Sequence, residues 1–199
     1  MTVIVYWFRN DLRLADNPAF TAACKAATGV VPVYCHDDAS EAMTQWGFPR
    51  VGCHRRAWLA ATLADLRSQL ESLGSGLVEL AGAPAHVLAD LSRRVGAHTV
   101  HCEEIAAPEE RAMVAALTAA GLKITTAWQS SMLEPDRLPF PAARMPDVFT
   151  AFRHAVEKAG CRAPAADTGA RARAADAARN TRYMRGSACG KGRLHAGNA

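Results

Sequence analysis

The feature that most constrains this chain is an alternation of two hydrophobic periods. Short β-branched and aromatic runs are separated by segments whose apolar residues recur every three or four positions. Val3–Phe8 reads as a buried first strand. Asp16-Asn17-Pro18 follows, a helix-start signal with proline near the first helical position, and leads into an alanine-rich helix over Ala19–Ala27. Gly29 ends that helix and Val30–Cys35 is the second strand. Leu59, Leu63, Leu66, Leu70 and Leu73 then share one face of a helix that Gly74-Ser75-Gly76 stops. Leu77–Leu80, His98–Glu103 and Lys123–Trp128 supply three more strands. Between them, helices open at Pro84 (Val87, Leu88, Leu91 and Val95 inward) and at Pro108 (Met113, Val114 and Leu117 inward). Five strands with short helical links predict an α/β fold, a doubly wound, Rossmann-like, five-stranded parallel sheet with right-handed crossovers. Ligands of such sheets gather at the carboxyl ends of the strands. Those ends carry Arg9-Asn10-Asp11, His36-Asp37-Asp38 and Glu103-Glu104.

Beyond the fifth strand the pattern weakens. Residues 129–146 read as a long loop containing Leu138-Pro139-Phe140-Pro141. Asp147 is expected to cap a last helix with Val148, Phe149, Phe152 and Val156 on one side, packed on the sheet's flank or on a partner domain. The character changes at about Arg162. Ala, Arg and Gly make up 24 of the residues in 162–199, and bulky apolar residues almost vanish. Such a stretch buries too little to offset its ordering entropy, so a folded domain over 1–161 and a disordered tail over 162–199 are expected. The tail's composition also resembles GC-rich coding sequence read in a wrong frame. Charge divides at the same point. Eight of the 23 Lys/Arg and two of the 19 Asp/Glu lie in the tail, which leaves 15 against 17 in the body. A slightly acidic body carries no strong nucleic-acid footprint.

Composition narrows the functional classes. No apolar run approaches the roughly 18 residues of a membrane span, and the N-terminus lacks the layout of a secretory signal. A cytoplasmic monomer with reduced cysteines is expected. Six cysteines are present but none lies within three positions of another, so zinc ligation is disfavoured. No dinucleotide glycine fingerprint follows the first strand, and no GxxxxGK[ST], GxSxG or HExxH occurs. Arg9, Asp11 and Arg13 alternate in sign at the sheet's mouth. They read as an ion-pair knot fixing the first turn, or else as direct contacts to a ligand or neighbouring domain. Glu109 and Glu110 sit in the first turn of a helix, where the macrodipole stabilises carboxylates without further function. The histidines are scattered, and Trp7, Trp46, Trp58 and Trp128 read as core or loop anchors.

One long string decides between these classes. Trp7-Phe8-Arg9-Asn10-Asp11-Leu12-Arg13-Leu14-Ala15-Asp16-Asn17 resembles the N-terminal signature of the photolyase/cryptochrome family. Phe48-Pro49-Arg50-Val51-Gly52 leading to Arg55 or Arg56 and then a leucine-rich helix, Gly74-Ser75-Gly76-Leu77, and Leu138-Pro139-Phe140 with Met145-Pro146-Asp147-Val148-Phe149-Thr150-Ala151-Phe152-Arg153 resemble its DASH branch. The likeness covers about residues 2–161. It implies an antenna domain, whose pigment absorbs light and passes excitation to FAD held by a separate helical domain. That second domain would contact DNA and carry out flavin-dependent repair of pyrimidine dimers, or blue-light signalling, and it is expected to be absent from this chain. The resemblance further implies 5,10-methenyltetrahydrofolate as pigment, with Glu109 or Glu110 (Glu110 preferred) accepting N–H bonds from the pterin edge. Arg9, Asp11, Glu103 and Glu104 are secondary candidates. Weak or absent folate binding by this chain alone is expected, because the other half of the site would be missing. Two alternatives stay open: a stand-alone nucleotide-binding module, and an interaction module docking a separate flavoprotein.

Overall fold

The computed structural model describes residues 2–165. Five parallel strands form one sheet in the order β3-β2-β1-β4-β5. They are β1 (Val3–Phe8), β2 (Gly29–His36), β3 (Val78–Ala81), β4 (Thr99–Glu104) and β5 (Lys123–Trp128). The first strand is central, pairing with β2 on one side and β4 on the other. This is the doubly wound arrangement that the alternating periods predict.

Both faces of the sheet are covered, and the pleat of β1 divides its residues between them. Ile4, Tyr6 and Phe8 point to one layer with Leu14, Phe20, Leu66 and Leu70. Val5 and Trp7 point to the other with Val33, Leu88, Leu91, Val100 and Leu117. Helices α1 (Pro18–Ala26) and α3 (Cys53–Ser72) thus pack on the first face, and α4 (Pro84–Val95) and α5 (Pro108–Ala119) on the second. The leucine stripe of α3 is confirmed: Leu63, Leu66 and Leu70 are buried, flanked by half-buried Leu59 and Leu73. Each fully buried leucine contributes about 2 kcal/mol of apolar transfer.

Several local expectations are corrected. The polar connection after β2 contains a short helix α2 (Asp38–Glu41), which Asp37 caps by accepting the Ala39 N–H. In the last helix α6 (Phe149–Lys158) Val148, not Asp147, is the N-cap, and no side chain caps it. That helix buries none of its residues. Phe152 meets Phe140 of the preceding loop and Phe149 of its own helix, rather than the sheet. Trp46 and Trp58 are exposed rather than core anchors. Among the described residues no helix is long and apolar enough to cross a membrane, and no group of His, Cys, Asp and Glu is placed to hold a metal. The expected disordered tail falls almost wholly on residues 166–199, outside the described residues.

Candidate functional site at the carboxyl edge of the sheet

Strand order reverses beside β1, so its carboxyl end and that of β4 form a switch point, where a crevice opens in folds of this class. Arg9, the first residue past β1, straddles that point. Its Nη1 donates to the Glu103 carbonyl at 3.1 Å and its Nη2 to the Glu110 carbonyl at 3.1 Å. Nη2 also pairs with the Glu110 carboxylate. The guanidinium carbon lies 4.7 Å from the Trp7 ring centre. Only 8% of Arg9 is exposed, so this charge is held by fixed partners and not by water.

Asp11 has a different role. It is 1% exposed and accepts from Tyr6 Oη at 2.5 Å, Asn17 Nδ2 at 2.9 Å, Gln129 Nε2 at 2.9 Å and the Arg9 N–H at 2.9 Å. The side chain of Arg13 instead donates to the Asp16 carbonyl. The ion-pair knot expected of Arg9, Asp11 and Arg13 is therefore replaced by a buried hydrogen-bond network around Asp11, with Arg9 turned toward Glu110. The reason is the neighbour at position 6. A buried tyrosine hydroxyl needs a partner, and Asp11 is within its reach. Burial, reinforced by the adjacent Asp11 charge, pushes the Tyr6 hydroxyl well above its ordinary range. Asn17 completes the network as the α1 N-cap, its Oδ1 accepting from Phe20 N at 2.9 Å.

The acidic residues divide in the same way. Glu103 is 5% exposed; its Oε1 accepts from Ser130 Oγ, and its Oε2 has no hydrogen-bond partner among the described residues. Burial pushes its carboxyl above the usual glutamate range, against the opposing effect of Ser130. The Glu104 carboxylate accepts from Thr126 Oγ1 at 3.4 Å, and its carbonyl accepts from Ser130 Oγ at 3.0 Å. Glu109 faces outward and pairs with Arg50 at 2.5 Å.

A groove of about 470 Å³ opens above this edge, a volume suited to a cofactor-sized molecule. Trp7, Arg9, Tyr34, Arg55, Trp58 and Glu110 are among its lining residues. Of the six candidates read from sequence, Arg9 and Glu110 line it; Asp11, Glu103, Glu104 and Glu109 do not. Cys35 also lines it, but burial pushes its thiol up to about 12, so it presents no thiolate. Arg55 and Trp58, on the first turns of α3, were missed as site residues. The signal was available: Trp58 lies off the leucine stripe, and no acidic residue occurs between Glu41 and Asp65.

The family profile described as DNA photolyase matches residues 4–170. The chain belongs to the DNA photolyase family. A cryptochrome DASH of Natronomonas pharaonis is 37% identical over 163 residues, covering 80% of this chain and 34% of that protein. A solved cryptochrome from Synechocystis superposes with a TM-score of 0.82 at 28% identity, over 86% of this chain and 36% of its own. An archaeal photolyase from Sulfolobus tokodaii, solved with two FAD molecules that imply a novel light-harvesting cofactor in that protein, shares the fold at TM-score 0.72 and 18% identity. This photolyase-family chain thus spans about a third of the length of the relatives it matches. The resemblance carried by the WFRNDLRL string is confirmed at the level of family and fold.

Proposed function

We propose that this chain is the light-harvesting domain of a photolyase or DASH-type cryptochrome, and that the groove at the carboxyl edge holds its antenna pigment, 5,10-methenyltetrahydrofolate. The observation that carries the reading is the Arg9–Glu110 pair in the groove wall. One oxygen of Glu110 is engaged by Arg9, and the other is left to accept N–H groups from a flat heterocycle. A carboxylate so held is oriented before the ligand arrives, which favours a donor edge such as that of an aminopyrimidine. Trp7 and Trp58 line the same groove and offer flat apolar surface there. The residues present therefore fit the pigment, with Glu110 as acceptor and Arg9 as its support. When bound, the pigment would absorb light and hand its excitation to a flavin.

The flavin-dependent step and the contact with DNA are assigned to the portion of the relatives that this chain does not match. The groove has exposed lining, Trp58 being 54% accessible, and water there weakens polar contacts. Adding methenyltetrahydrofolate to the 199-residue chain should shift the pigment's absorption band and quench tryptophan fluorescence, with a Kd above about 1 μM. Glu110→Ala should weaken that binding about tenfold. Absence of saturable binding up to about 1 mM would sink the reading.

A further inference from the structure

Charges lining the groove are matched one by one, with a single exception. Glu110 is paired with Arg9. Glu41 pairs with Arg56 at 2.8 Å. Asp37 accepts the Ala39 N–H as the cap of α2. Arg55 makes no ion pair and no hydrogen bond through its side chain among the described residues, although it lines the same groove. Its guanidinium carbon lies 5.8 Å from the Trp58 ring centre, a cation–π arrangement that orients the fork without consuming its donors. Tyr34, whose ring lines the groove, feels the Arg55 charge as an influence opposing its burial.

Helix geometry adds to the positive potential beside Arg55. Arg55 is the third residue of α3, a helix of 20 residues whose N-cap is Gly52. Glycine has no side chain to bond the first-turn N–H groups, and none does so here. The groove wall therefore carries charge of both signs, the Glu110 acceptor and an unspent Arg55 guanidinium above the Trp58 indole.

Resting on the proposed pigment site, the geometry points to Arg55 as the residue that selects a ligand with an anionic tail. The heterocycle lies toward Glu110, and a carboxylate at the far end of the same molecule is taken by the Arg55 fork. Arginine suits this because its donors are planar and always charged. A folate ends in a glutamyl group carrying two carboxylates, so the tail and not the ring becomes the discriminating feature at Arg55. Pigments with the same ring and no anionic tail then bind more weakly.

The test compares two probes on the full chain by fluorescence titration: methenyltetrahydrofolate, and a reduced pterin of the same ring lacking the aminobenzoyl-glutamate tail. Wild type should prefer the tailed probe by about tenfold in low salt, and less as salt screens the contact. In Arg55→Gln the preference should collapse to about twofold or less, while Arg55→Lys should retain part of it. Thermal midpoints of the variants should match wild type, because Arg55 has no ion pair to lose. Equal affinity of wild type for both probes overturns the role of Arg55 and leaves the Glu110 site standing. An undiminished preference in Arg55→Gln does the same. Failure of wild type to bind either probe overturns the pigment site and the tail selection together.

Discussion

Asp11, in the turn after β1, and Glu103, near the end of β4, feel one another's charge, yet the fold treats them oppositely. Asp11 has a hydrogen bond for each oxygen, whereas Glu103 leaves Oε2 unpaired in a buried position. An unpaired buried carboxylate favours its neutral form. The raised Glu103 carboxyl means that the folded protein holds this proton more tightly than the unfolded chain. Its contribution to stability is full below the ordinary glutamate range and is lost as pH rises through the folded value. Glu103→Gln keeps an oxygen for Ser130 but cannot ionise. It should therefore be more stable than wild type at about pH 7, with the gap closing near pH 4. Thermal midpoints across that window decide the matter; a gap independent of pH would remove ionisation as its cause. Asn17 offers a second residue-scale test. It caps α1, accepts from Tyr6 Oη and donates to Asp11. Asn17→Ala should cost about 2–3 kcal/mol in urea unfolding. Asn17→Asp keeps the cap but sets a like charge beside Asp11, so it should be equally damaging. Full stability of that variant would show that only the cap matters.

At the scale of elements, α3 shows which information the sequence carries plainly. Its leucine stripe is local and periodic, so the buried set Leu63, Leu66 and Leu70 is legible without a structure. Leu66→Ala should cost about 3 kcal/mol by calorimetry, and Leu59→Ala, half-buried at the groove, under about 1 kcal/mol. Equal costs would mean that the stripe is not what anchors the helix. The carboxyl-edge candidates were legible for a related reason: strand ends announce themselves through the first polar residues after an apolar run. Their sorting was not. Whether Arg9 turns to Asp11, two positions away, or to Glu110, 101 positions away, depends on the pairing of β1 with β4, which no local pattern encodes. Arg55 was hidden in the same way. The DASH-like string leads to Arg55 or Arg56 alike, and only the groove above α3 separates the unpaired Arg55 from Arg56, which pairs with Glu41. The Asp147 cap failed because Val148 is itself extended, so the helix begins one residue later than the capping signal implies.

Over the whole molecule the residues up to about 130 and those after it are held by different means. The sheet and α1, α3, α4 and α5 share two continuous apolar layers. The polypeptide leaving β5 is then pinned twice, by Gln129 to Asp11 and to the Ala19 N–H, and by Ser130 to Glu103. After those pins the contacts thin out. Phe140 and Phe152 meet edge to face, Cys161 Sγ reaches the Arg137 carbonyl at 3.2 Å, and α6 buries nothing. Local opening free energy follows buried apolar contact, so α6 should open without disturbing the sheet. In native-state hydrogen exchange, amides of β1 and β4 should exchange only through global unfolding. Those of α6 should exchange at least about 100-fold faster and with little dependence on denaturant. Gln129→Ala, which cuts one pin, should speed exchange around residues 129–134 while leaving β1 unchanged. Protection of α6 equal to that of β1 would instead make the last helix part of the cooperative core, held by contacts stronger than its exposed Phe149 and half-buried Phe152 suggest.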